Sequence, residues 1–245
     1  METWILIASC CFFVAGISKG TLGVGLPIAA VGLMTLFIDA RLAVSLMVFP
    51  IMLTNVWQVY RSGNIANIAR DNWLFAVVLL FALLTTTFFT TRVSADVLVM
   101  LVGFVIILFS LVNLTFRVPP IPNRHDRLAQ CLGGVAAGIV GGFTAIWSPP
   151  VAAYLIARGV EKDEFVGSTG FLFFVGSLPL CLGFWHNGML TGPVALVSLG
   201  MIIPTLAGFT VGEVIRRRID ARRFKTILLV FFLLIGFNLV RRALV

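Results

Sequence analysis

Lys19 stands in a run that no helix would carry unbroken, Lys19-Gly20-Thr21-Leu22-Gly23-Val24-Gly25-Leu26-Pro27, because glycine and proline are poor interior helix formers. It is the one formal charge there, flanked by the hydroxyl of Thr21 and by Gly20, Gly23 and Gly25. A second run of the same character is Gly141-Gly142-Phe143-Thr144-Ala145-Ile146-Trp147-Ser148-Pro149-Pro150. It has hydroxyls at Thr144 and Ser148 and no charge. A helix break leaves backbone N–H groups without intrahelical partners. The prolines read as first-turn residues of the helices that follow, where a missing N–H costs nothing. The N-terminal ends of those helices carry a partial positive charge. An ammonium, hydroxyls and N–H groups gathered at such breaks are donors suited to an anion.

The elements around these runs are membrane helices. Of the 245 residues, 60% are apolar and 11% are charged, with a mean hydropathy of +1.07. A soluble domain needs roughly twice that charged fraction to cover its surface. Long apolar runs such as 73–89, 97–114 and 227–240 match the ~20-residue helix that crosses a ~30 Å hydrocarbon layer. The beginning Met1-Glu2-Thr3-Trp4 has neither a basic region nor a small-residue cleavage site, so the first helix is expected to stay in the membrane. Cys10, Cys11, Cys131 and Cys181 lie in apolar stretches without metal spacing and read as small buried hydrophobes.

Sliding the chain on itself by about 122 residues aligns its halves. Val14 to Gly20 falls on Ala136 to Gly142, and Pro27 on Pro149. Ser45 then lies over Ser168, Gly63-Asn64-Ile65 over Gly188-Met189-Leu190, Arg92-Val93 over Arg218-Ile219, and Asn113-Leu114 over Asn238-Leu239. The shared features are punctuation, so the chain reads as a duplication: an N-terminal repeat over 1–116, a polar, Pro-rich cytoplasmic linker over 117–127, and a C-terminal repeat over 128–245.

Charge placement decides how each repeat begins. If the opening segment crossed once, the loops would divide into 10 Lys/Arg against 7. If it is a hairpin returning to its own side, with arms of roughly 12–15 residues, the division becomes 13 against 4. The basic face then holds Arg61, Arg70, Arg158, Lys162 and the clusters at 117–127 and 216–225, and the other holds Arg41, Arg92, Arg241 and Arg242. The bias selects the hairpin and puts both termini on the periplasmic side of a bacterial inner membrane. The expected fold is an all-α integral membrane protein of two inverted repeats, each a broken re-entrant helical hairpin plus three transmembrane helices. The crossings fall near 41–60, 72–91, 95–116, 163–185, 191–215 and 222–242. In such architectures the broken elements are expected to meet near the bilayer midplane.

The candidate substrate-binding residues of the first break are Lys19, Gly20, Thr21, Gly23 and Gly25. Those of the second are Gly141, Gly142, Thr144, Trp147 and Ser148. Asn55, Ser168 and Thr169 are further polar groups at membrane depth, and Trp57, like Trp147, is a candidate pocket wall. The alternative for each hydroxyl or amide is helix packing, and for Lys19 it is snorkelling to an interface. Glycine pairs at helical spacing, Gly16/Gly20, Gly134/Gly138, Gly138/Gly142 and Gly208/Gly212, read as close helix contacts. His186 reads as interfacial. No Walker-type Gly-Lys-Ser/Thr, His-Glu-x-x-His or Gly-x-Ser-x-Gly occurs. Catalytic residues, metal ligands, cofactors and nucleic-acid binding are therefore not expected. The partners are a small anion and the lipid bilayer.

The paired openings, Ala15-Gly16-Ile17-Ser18-Lys19-Gly20 through Pro27 and Ala137-Gly138-Ile139-Val140-Gly141-Gly142 through Pro149, resemble the duplicated glycine-rich signature of the TauE/SafE family. The resemblance covers essentially the whole chain. It implies a secondary transporter, an exporter of sulfite, sulfoacetate or related sulfur-containing anions, working by alternating access. A passive anion channel and a non-transporting membrane scaffold are the alternatives. Lys19 and the bulky Ala145-Ile146-Trp147 depart from the family pattern and point to a tighter or more strongly anionic ligand.

Overall fold

The computed structural model describes residues 3–22, 25–115, 119–218 and 221–244, and shows only helices and turns among them. The helices are α1 (Thr3–Leu22), α2 (Leu26–Met34), α3 (Ala40–Leu46), α4 (Val48–Ser62), α5 (Ile65–Thr87) and α6 (Ala95–Thr115). After the linker come α7 (Asp126–Thr144), α8 (Ser148–Arg158), α9 (Lys162–His186), α10 (Gly192–Gly200), α11 (Ile202–Arg218) and α12 (Ala221–Leu244). Seven stretches among the described residues are long and apolar enough to cross a membrane. Six match the expected crossings, and the seventh is Thr3–Thr21.

That seventh stretch corrects the expected arm lengths. The first arms, α1 and α7, have 20 and 19 residues, and the second arms, α2 and α8, have 9 and 11. At 1.5 Å per residue α1 reaches about 30 Å. The helix runs through Lys19 and Gly20 because small residues in an apolar helix serve close packing as well as breaking. The second break falls at Ala145, in the left-handed region at φ 56°, just before α8 begins.

The chain forms two compact units, each drawn from both halves of the sequence. The first comprises Met1–Pro50, Arg92–Arg117 and Met189–Val245. In it α1 lies parallel to α11. A Cβ on Gly16 would fall on the Thr205 carbonyl and one on Gly20 on the Phe209 carbonyl, while Gly208 and Gly212 meet Phe13 and Ile17 in return. α6 packs antiparallel to α12, with Gly103 against Gly236, Leu239 and Val240. Their relative direction is fixed at one end. Arg242, at the end of α12, donates to the Leu36 carbonyl at 2.9 Å, and Arg41 donates to the Val93 carbonyl, just before α6, at 2.7 Å.

Two interrupted helices also meet in this unit. α3 passes into α4 at Met47, and α10 into α11 at Met201. Pro50 has no N–H to offer the Leu46 carbonyl. Ser198 takes over that bond: its hydroxyl donates to Leu46 O at 2.8 Å and accepts from Phe49 N at 3.3 Å.

The second unit comprises Ile51–Thr91 and Val118–Gly188. α5 runs parallel to α7, with Gly134, Gly138 and Gly142 seated on Phe75 and Val78, on Ala82 and Leu83, and on Thr86 in turn. Thr86 donates across to the Gly138 carbonyl and Thr90 to the Gly142 carbonyl, both at 2.8 Å. The Gln130 amide enters the α5 ladder, accepting from Phe75 N at 3.0 Å and donating to Asp71 O at 3.2 Å. α5 is parallel to α9 as well: Asn72 donates to Ser168 Oγ at 3.1 Å near their first turns, and Asn187 donates to Thr87 O at 2.6 Å near their last.

The α7–α8 pair folds back on itself. Tyr154, late in α8, donates to Asp126 at the start of α7 at 3.1 Å, and Ile121 N reaches Ala157 O at 2.8 Å. Burial first, with the Asp126 carboxylate adding to it and Arg158 opposing, holds the Tyr154 phenol above its ordinary range, so it stays a neutral donor. Arg158 approaches Asp126 at 3.9 Å and Asp71 at 3.7 Å. These partly exposed pairs contribute little individually, and their consequence is geometric: the hairpin's two ends share a face with the start of α5.

Candidate functional site

In the first hairpin the structure places Lys19 on the last turn of α1, 3% exposed. An ammonium so enclosed is costly unless other groups compensate it. Gly20, beside it, packs on α11, where a Cβ would also come within 3.1 Å of Glu213 N. A carboxylate residue thus enters the level of Lys19 from a distant part of the sequence. Thr21 is buried and its hydroxyl donates to the Ile17 carbonyl. Gly25 is the N-cap of α2, left-handed at φ 100°, a conformation that favours glycine. Pro27 sits in the first turn of α2 as expected. Gly23 lies outside the described residues.

The second hairpin is built around an indole. Trp147 is fully buried, edge-on to Phe173 with ring centroids 5.7 Å apart. Gly141 and Gly176 flank it, for a Cβ on either would come within 3.0 Å of Trp147 atoms. Gly141 is the position matching Lys19, so the difference between the two breaks has a steric cause: Trp147 occupies the room a side chain there would need. Gly142 packs on Thr86. The Thr144 hydroxyl is spent locally, donating to Val140 O at 2.7 Å and accepting from Ile146 N at 3.1 Å. Ser148 opens α8 and is fully buried. Neither its Oγ nor the Trp147 Nε1 has a hydrogen-bond partner among the described residues. Because Pro149 and Pro150 carry no N–H, the first turn of α8 offers fewer backbone donors than that of α2.

The remaining candidates are placed as follows. Ser168 is tied to Asn72, one and a half to two helical turns below the Trp147 contacts at Phe173 and Gly176 on α9. Thr169 donates to the Phe165 carbonyl, and Asn55 donates to Ile51 O at 2.7 Å. Trp57 is 53% exposed and stacks on Tyr60, so it is not brought to the second hairpin. Sequence reasoning passed over Ser18. It is fully buried, and its hydroxyl has no partner among the described residues. Its only sequence signal was its place beside Lys19.

Each hairpin therefore presents buried donors at a helix break, one with an ammonium and one without. Among the described residues no group of His, Cys, Asp and Glu could hold a metal ion. No curated protein and no solved structure gives a significant match to the chain. One protein family does, described as sulfite exporter TauE/SafE and matched over residues 8–239. With that match across nearly its whole length and with its apolar helices, the chain belongs to the TauE/SafE family of sulfite exporters, a family of membrane transporters.

Proposed function

We propose that this protein is a secondary transporter that exports small sulfur-containing anions, such as sulfite or sulfoacetate, across the bacterial inner membrane. The observation that carries this reading is Lys19, a basic side chain buried on the last turn of α1, where the first hairpin breaks before α2 begins at Leu26. Fixed N–H groups, a hydroxyl and one cation bind an oxyanion without a metal or a cofactor. The second hairpin has buried, uncharged donors of its own at Trp147 and Ser148. Alternating access moves the substrate from one face to the other.

Packing directions support inverted repeats. If the α7–α8 hairpin returns to its own side, three crossings carry the chain from the end of α6 to the end of α12, so those helices run antiparallel. By the same count α5 and α9 run parallel. A single crossing through α7 and α8 would reverse both relations. The antiparallel α6–α12 pair and the parallel α5–α9 pair fit the hairpin. Single cysteines at Arg92 and Gly188, in a background lacking the four native ones, should react with an impermeant maleimide added outside spheroplasts. Cysteines at Arg124 and Arg158 should react only after permeabilisation. Labelling of the Arg158 position from outside, with the Gly188 position reached only after permeabilisation, would end the inverted-repeat reading.

Transport itself is tested by counterflow. Proteoliposomes loaded with unlabelled sulfite should accumulate labelled sulfite transiently and saturably. Flux that never saturates, with single-protein conductance steps, would replace the carrier with a channel.

A further inference from the structure

Ser18 and the start of α2 form a donor cradle that the family assignment does not explain. The Ser18 side chain is fully buried. In most buried helical serines the hydroxyl returns to a carbonyl one turn back, as Thr21, Thr35 and Ser45 do here. The Ser18 hydroxyl makes no such bond. It lies 3.2 Å from the point that a Cβ on Gly25 would occupy. Gly25 is the N-cap of α2, at φ 100°, and it leaves that space open. Beyond it the first-turn N–H groups of Leu26 and Ile28 have no carbonyl within the helix to bond, and Pro27 contributes none.

We propose that Ser18 Oγ and the α2 N-terminal N–H groups at Leu26 and Ile28 form an oxyanion subsite that holds one oxygen of a sulfite or sulfonate group. The proposal rests on the transporter reading and narrows it to a second residue of the same hairpin. Leaving a buried hydroxyl unbonded costs free energy in the ligand-free protein. A site that tolerates this cost and points the group at a helix N-terminus is arranged for an acceptor that comes and goes. Oxyanions accept such bonds through several oxygens at once, whereas the N–H groups cannot serve a cation. A serine hydroxyl can also accept a hydrogen bond, so the cradle takes the protonated as well as the unprotonated form of a sulfur oxyanion.

The test uses the purified full-length protein in detergent, with sulfite as the probe and thermal unfolding as the readout. Sulfite should raise the unfolding temperature of the wild type. Ser18→Ala should unfold at the same or a higher temperature without sulfite, yet require about tenfold more sulfite for the same shift. Gly25→Ala, which places a methyl in the cradle and strains φ, should also lose the sulfite response. Equal sulfite responses of wild type and Ser18→Ala, with counterflow intact, would overturn the subsite and leave the transporter standing. A Ser18→Ala protein that is less stable without sulfite would mark the hydroxyl as structural and overturn it too. If the wild type shows neither a shift nor counterflow, subsite and transporter fall together.

Discussion

Replacing Lys19 with methionine should raise the sulfite concentration needed for half-maximal uptake about tenfold or more in proteoliposomes. The side chain is nearly the same length, so the change removes a charge and three N–H donors while leaving the volume. A hydrogen bond to a charged group contributes about 1.5–3 kcal/mol. Truncating one partner of a desolvated charge pair costs about 2–5 kcal/mol. The two descriptions overlap, and either end of the combined range is at least tenfold in affinity. Lys19→Arg keeps the charge but carries a wider head next to the α1–α11 contact at Gly20, where the Phe209 carbonyl leaves no room. It should retain saturable uptake at reduced affinity. If the methionine variant transports like the wild type, the anion does not meet α1, and the neutral donors of Trp147 and Ser148 become the first place to look.

The second large effect concerns stability. Gly208→Val should lower the stability of the protein by about 3 kcal/mol, an overpacking cost at the upper end of the usual range. A Cβ at Gly208 would fall on the Phe13 carbonyl and lie 3.1 Å from Ile17 N. Both are backbone atoms of a helix, so no rotamer change relieves the clash. α1 and α11 would have to move apart, and the contacts at Gly16, Gly20 and Gly212 would open with them. Gly200→Ala is the matched control, because nothing lies within 4 Å of the Cβ it would add. Its effect should be within about 0.5 kcal/mol of zero. Tryptophan fluorescence during thermal unfolding in detergent reads both. If the valine variant melts with the wild type, the two helices do not depend on this contact.

Much of the fold could be read from residue types because membranes restrict what those types do. The glycine pairs marked close contacts, and each of them meets a neighbouring helix in the structure. The prolines at 27 and 149 marked helix starts and stand there. Arm lengths were harder. Gly20 looks like part of the break when read along one helix, and its contact with Phe209 on α11 makes it a packing residue instead. That partner lies nearly two hundred residues away, and the spacing within α1 marks a contact without saying which helix makes it.

The site was legible as a region and less so as a set of atoms. Lys19 stood out because it is the one formal charge in its run of the sequence. Thr144 and Ser148 looked equivalent as hydroxyls in one break, yet Thr144 closes a local turn while Ser148 has no partner among the described residues. The backbone angles at Ala145 decide between those fates, and residue type alone does not encode them. Ser18 was hidden for a similar reason: a helical serine is expected to bond backward, and its turn toward Gly25 depends on the chain reversing there. Trp57 and Trp147 carry the same side chain, one exposed and one fully buried. What separates them is the pair of glycines, Gly141 and Gly176, that makes room for one indole.

The mixing of the two halves within each unit sets the order in which the protein can be made. α1 leaves the ribosome first, but its glycine face waits for α11, whose last residue is Arg218. α5 meets its glycine partner α7 soon after the linker is synthesised, so the second unit can close while the first is still incomplete. During that interval Lys19 sits on a helix without its eventual neighbour. Nascent chains stopped before α11 should therefore be the ones that membrane chaperones hold and proteases remove.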